Sequence, residues 1–128
     1  MEQKGLLEES EGAQVVKLDD YSMPPCIIIK KDGASLYSTR DIAAAIYRKQ
    51  EYDFYKCLYV VAYQQTLHFK QVFKVLGLMA WPWAKDLVHV PFGMVSFEGQ
   101  TLSTRKGQVV YLEEFLNKAI NKALALIN

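Results

Sequence analysis

Hydrophobic and polar positions change their period several times along this chain, and each change marks an element. Val15, Val16 and Leu18 predict a short strand over 15–18, and the Pro24-Pro25 pair breaks the stretch after it into a loop. Cys26-Ile27-Ile28-Ile29-Lys30 is a β-branched run that stops at Lys31-Asp32-Gly33-Ala34. Asp-Gly at such a stop is a strong hairpin signal, so Ser35-Leu36-Tyr37 is expected to pair back as the return strand. A helix comes next, with Thr39 as its expected cap and Gln50 near its end. Its small residues Ala43, Ala44 and Ala45 suit close approach to a sheet or a ligand.

The second half repeats the strand-to-helix change. Cys57-Leu58-Tyr59-Val60-Val61-Ala62 is apolar on both faces, as expected of a central parallel strand covered by helices on each side. Thr66 then opens a helix whose apolar face is read as Leu67, Phe69, Phe73, Leu76 and Met79, weakened near its end by Gly77. Another strand is predicted over 86–91, followed by the apolar run 92–97 and the turn residues Glu98 and Gly99. Strand, helix, strand in that order implies a right-handed crossover and a partly parallel sheet. Leu112, Phe115, Leu116, Ala119, Ile120, Ala123, Leu124 and Ile127 share one stripe of a final helix, expected to dock by it. The fold class is therefore α/β, three-layered, with a polar segment over 1–14 and one domain over 15–128.

Composition narrows the functional classes. A chain of 128 residues is long enough for one buried core and too short for two domains of ordinary size. Fifteen basic against fourteen acidic side chains leave a net charge of +1, so no general field draws nucleic acid and any such contact must be local. Cys26 and Cys57 lack metal-ligand spacing and read as structural thiols of a reducing cytoplasm. No apolar run approaches the roughly 18 residues that cross a bilayer, and residues 1–12 hold no signal-peptide core.

Two places concentrate chemistry. Tyr37 and Asp41 stand four apart where the strand pattern gives way to a helix, and Gln65 opens the next helix. A carboxylate in a first helical turn is favoured by the free backbone donors there, so the trio reads as a socket for a small cation. The plainer reading is a helix-end aspartate, a half-buried strand tyrosine and a surface glutamine. Leu102-Ser103-Thr104-Arg105-Lys106-Gly107 gathers hydroxyls and cations beside a glycine, which suits a polyphosphate. Against that stands an ordinary solvated loop. Residues 62–65 and 92–106 both come after predicted strands and are expected to face one crevice. His68 lies on the same helical turn as Gln65, His89 in a strand is read as structural, and Trp81-Pro82-Trp83 as a turn packed on the core or an exposed aromatic surface.

Taken together, residues 37–48, 59–69 and 89–107 resemble the catalytic domain of bacterial arginyl-tRNA synthetase, a class I enzyme. The resemblance covers nearly the whole chain in order. It implies the second half of a Rossmann-like nucleotide-binding domain, in which Tyr37, Asp41 and Gln65 bind arginine. His68, Gly93, Met94, Val95, Ser103, Thr104 and Lys106 are implied at ATP, with Ser103, Arg105 and Lys106 acting in catalysis. ATP is implied as a substrate with Mg2+ on its phosphates, without a tightly bound cofactor, and tRNA(Arg) as the partner of the full-length protein. Thr101 departs from the lysine of many members, and Ala62 from a glycine. Neither His68 nor His89 lies in a His-Ile-Gly-His signature, so the chain is read as a fragment that forms no adenylate alone and could self-associate through uncovered surface. The alternatives are a non-catalytic nucleotide- or RNA-binding module of the same fold, or a class I synthetase for another amino acid.

Overall fold

A computed structural model describes residues 1, 4–94, 96, 97, 100, 101 and 111–127. They divide into two compact units, Met1–Phe92 and Gly93–Asn128.

The first unit is mixed α/β. Its opening strands β1 (Glu8–Ser10), β2 (Ala13–Val16) and β3 (Cys26–Ile29) form an antiparallel sheet in that order. Glu11 and Gly12 both take positive φ, 52° and 82°, which closes the β1–β2 hairpin with the backbone hand that such turns need. β1 is exposed throughout and was not foreseen, because Glu-Glu-Ser carries no apolar signal. In β3, Cys26 and Ile28 face the core while Ile27 is largely exposed.

The expected hairpin after β3 is only partly present. Asp32-Gly33 does make the turn, with Gly33 at φ 78° and its N–H donating to the Lys30 carbonyl at 2.9 Å. The return strand shrinks to a single bridge between Ile29 and Ser35, because Tyr37 already opens helix α1 (Tyr37–Tyr52). Thr39 is not its cap: the cap position is Leu36, without a side-chain bond. Instead the Ser38 hydroxyl donates to the Ile27 carbonyl at 2.6 Å and the Thr39 hydroxyl donates to that of Ile28, tying the first turn to β3. α1 ends at Asp53, whose left-handed backbone (φ 40°) donates back to the Lys49 carbonyl.

Strand β4 (Cys57–Ala62), helix α2 (Thr66–Leu78) and strand β5 (Leu87–Phe92) follow one another in the expected order. β4 and β5 pair in parallel with Tyr59 opposite His89 and Ala62 opposite Phe92. Coverage differs from expectation: Tyr59 is buried, but Leu58, Val60 and Val90 are exposed. One face of this small sheet is therefore bare among the described residues. On α2 the buried stripe is Phe69, Val72, Val75 and Leu76, while Leu67 points outward at 46% exposure. Trp83 lies buried in a short 3-10 turn, Pro82–Asp86, edge-on to Phe54 at 6.0 Å. The core joins α1, α2, β3 and β4 through Ile42, Ala45, Val72, Leu76, Ile28 and Tyr59.

Burial holds two acids in their protonated forms. It lifts the Cys26 thiol above its ordinary range, against a hydrogen bond with Ser38, and lifts the Tyr59 phenol against one from Arg48. Protons bound more tightly in the fold than in the open chain stabilise it below the open-chain values, and that contribution is lost as pH rises through the folded ones. Stability is therefore expected to hold near neutrality and decline from roughly pH 9 upward, given ordinary thiol and phenol values of about 8.5 and 10. Urea midpoints taken across that range should fall less steeply in Cys26→Ala; an unchanged slope would contradict the assignment.

The second unit holds a short antiparallel pair, β6 (Ser96–Phe97) with β7 (Gln100–Thr101), and helix α3 (Leu112–Ile127). α3 has Glu113 and Glu114 in its first turn, where the helix dipole favours acids. No residue of α3 is buried among the described residues. No described helix is long and apolar enough to cross a membrane.

Candidate functional site

The end of β4 and the starts of α1 and α2 meet at a cleft of about 360 Å³ lined by Tyr37, Asp41, Val61, Gln65, His68 and Phe69. Parallel strands in such sheets present ligands beyond their carboxyl ends, and Val61 and Gln65 mark that end of β4. Sequence reasoning placed Tyr37, Asp41 and Gln65 together, and the structure brings all three to one opening.

Their setting differs in detail. Because α1 starts at Tyr37, Asp41 lies in the second turn, past the free N–H groups that were expected to hold it. A different group holds it: His68 Nε2 lies 2.6 Å from Asp41 Oδ2. A carboxylate only accepts, so Nε2 carries the proton and donates. The pair is partly shielded, with side-chain exposures of 23% for His68 and 35% for Asp41. Tyr37 is 78% exposed and forms the rim. Gln65 precedes α2 without capping it and is exposed, which leaves its amide facing solvent.

Aromatic rings make the floor. Phe69 is buried, with the His68 ring edge-on at 5.2 Å and the His89 ring tilted against it at 4.8 Å. His89 Nε2–H in turn donates to the Val61 carbonyl at 2.9 Å, so this histidine is structural as expected. Tyr59 packs on Phe69 at 5.1 Å, and Arg48 Nη1 donates to the Tyr59 hydroxyl at 3.2 Å. Sequence reasoning missed the Arg48–Tyr59 and Asp41–His68 partnerships; each spans separate elements, and no spacing rule links them.

A larger groove, about 660 Å³, lies against Tyr21, Phe73, Lys70, Lys74 and Lys85, with the Lys74 ammonium 3.9 Å from the Tyr21 ring centre. It gathers none of the binding or catalytic residues expected from the sequence. Gly93 and Met94 are exposed at the start of the second unit. Val95, Ser103, Thr104, Arg105 and Lys106 lie outside the described residues.

The polarity of the cleft sets its chemistry. A single carboxylate beside a phenol and a primary amide, over an aromatic floor, is chemically suited to a cation with a flat or slender stem. Among the described residues no group of three or more metal-ligating side chains is present.

Comparison with known proteins places this geometry in context. Residues 1–128 match the family model described as tRNA synthetases class I (R), catalytic domain. The arginine–tRNA ligase of Clostridium botulinum (strain Alaska E43 / Type E3) is 61% identical over 128 residues, 100% of this chain and 23% of that protein. That of Halothermothrix orenii is 64% identical over 122 residues, 95% of this chain and 22% of that protein. The chain thus spans less than a quarter of the length of these curated relatives. Among solved structures, the Thermus thermophilus arginyl-tRNA synthetase superposes with a TM-score of 0.65 at 21% identity, covering 98% of this chain and 27% of that one. The Plasmodium falciparum enzyme gives 0.64 at 22% identity, over 99% and 22%. At such identities the two structures speak for the fold alone.

Proposed function

The chain belongs to the class I arginyl-tRNA synthetase catalytic-domain family, and on that footing we propose that it carries the arginine-recognising part of an ATP-dependent arginine–tRNA ligase. The observation that carries the proposal is the cleft itself, with Asp41 held by His68 beneath Tyr37 and Gln65. A guanidinium is planar, always charged and presents paired N–H groups that a carboxylate receives through two parallel hydrogen bonds. Gln65 can both donate and accept, which suits the amino and carboxylate head of the same ligand.

In the proposed reaction the arginine carboxylate attacks the α-phosphorus of ATP, pyrophosphate leaves, and a terminal ribose hydroxyl of tRNA(Arg) then takes the arginyl group and releases AMP. No protein nucleophile is required. Positioning and stabilisation of moving phosphate charge supply the catalysis, with Mg2+ arriving on the ATP. Ser103, Arg105 and Lys106 take the phosphate role in this reading, with Thr104, Gly93, Met94 and Val95 along the nucleotide; the hydroxyls and cations of that loop support it. A three-layered sheet completed elsewhere in the protein fits the bare face at Leu58 and Val60. A cytoplasmic site of action fits two free cysteines.

Calorimetric titration of the full-length ligase with arginine, lysine and citrulline tests the recognition step. Citrulline keeps the shape without the charge, and lysine keeps the charge without the fork. Both are expected to bind at least roughly 30-fold more weakly than arginine, the order of one or two lost charged hydrogen bonds. Citrulline binding as tightly as arginine would sink the reading.

A further inference from the structure

We propose that His68 is a positioning residue for arginine recognition, its Nε2–H fixing the Asp41 carboxylate in the orientation that receives the guanidinium. The inference rests on the arginine reading of the cleft and adds to it the group that makes Asp41 competent. In the second turn of α1 this carboxylate has left the helix N-terminal donors behind, and the 2.6 Å contact from His68 stands in their place. His68 is itself held. Its ring lies edge-on to buried Phe69, which packs against His89, and His89 is fastened to the Val61 carbonyl.

The geometry leaves room for the substrate. Each carboxylate oxygen accepts two hydrogen bonds, so Oδ2 keeps one lone pair after binding His68 and Oδ1 keeps both. Two parallel bonds from a guanidinium fit that remainder. Without the histidine, Asp41 would have to be ordered by the ligand at the moment of binding, and affinity would fall by that cost. Tyr37 at 78% exposure cannot supply the same restraint. On this view His68 serves arginine, and its implied place at ATP is given up.

The experiment uses full-length ligase carrying His68→Ala, His68→Gln or Asp41→Asn, with KM for arginine, KM for ATP and kcat measured in aminoacylation and folding checked by thermal midpoint. His68→Ala is expected to raise KM for arginine roughly tenfold, the order of one hydrogen bond to a charged group, with KM for ATP and kcat little changed. Gln places an amide donor at similar reach, so His68→Gln should recover most of the loss. A rise in KM for ATP instead, or equal defects in the Ala and Gln variants, overturns the proposal. If Asp41→Asn raises KM for arginine and His68→Ala does not, the positioning role alone falls; if Asp41→Asn leaves it unchanged, the arginine reading falls with it.

Discussion

On the proposed arginine reading, Asp41→Asn is expected to lower arginine affinity of the full-length protein on the order of 100-fold, about 3 kcal/mol, while its thermal midpoint stays where it was. The replacement keeps shape and one oxygen but removes the charge and puts a donor where the second oxygen stood. A guanidinium then meets one acceptor where it had two, and its own charge is left without a counterpart. Truncating one member of a fully buried charge pair costs more, and the lower figure reflects the partly open setting of Asp41, 35% exposed. Folding is spared because the replacing amide offers either an oxygen or an N–H to the facing His68 ring nitrogen. Calorimetry with arginine reads the effect, and a loss below threefold would mean that this carboxylate does not receive the substrate.

A large effect on stability is expected at Leu76. It is fully buried on α2 within the hydrophobic core, and Leu76→Ala should cost about 3 kcal/mol through lost transfer and the cavity left behind. Leu67 on the same helix is 46% exposed, and Leu67→Ala should cost little. Hydrogen exchange of the α2 amides in the full-length protein distinguishes them, with exchange about 100-fold faster for the first if those amides exchange by opening of this core. Equal rates in the two variants would show that the core is not organised around Leu76. The contrast matters because the sequence pattern alone put Leu67 on the apolar face.

Leu67 shows where sequence reading stops. A helical stripe can be rotated by one residue without losing its apolar count, and only the neighbour fixes which choice is buried; here α1, β3 and β5 pack on α2, and Phe69, Val72, Val75 and Leu76 are the residues buried. The parallel pair β4–β5 was legible because a long apolar strand, a helix and a second strand allow few arrangements. β1 was hidden, since a wholly exposed strand needs no apolar residue and is held by its backbone partner and a Glu-Gly turn. At the cleft, Tyr37, Asp41 and Gln65 were legible as a trio, but not the group that restrains Asp41. Ser38 and Thr39 spend their hydroxyls on β3 carbonyls, which moves the helix start to Tyr37 and leaves Asp41 to a histidine 27 positions along the chain.

Phe69 belongs to two structures at once, the interior that keeps the unit folded and the surface that a ligand would rest on. Any attempt, by selection or by engineering, to reshape the bottom of the cleft for a longer or shorter guest must also repack Tyr59, Phe73 and both histidines around that ring. Tyr37 and Gln65 carry no such obligation. New preferences are therefore free to evolve at the mouth, while the base stays conservative.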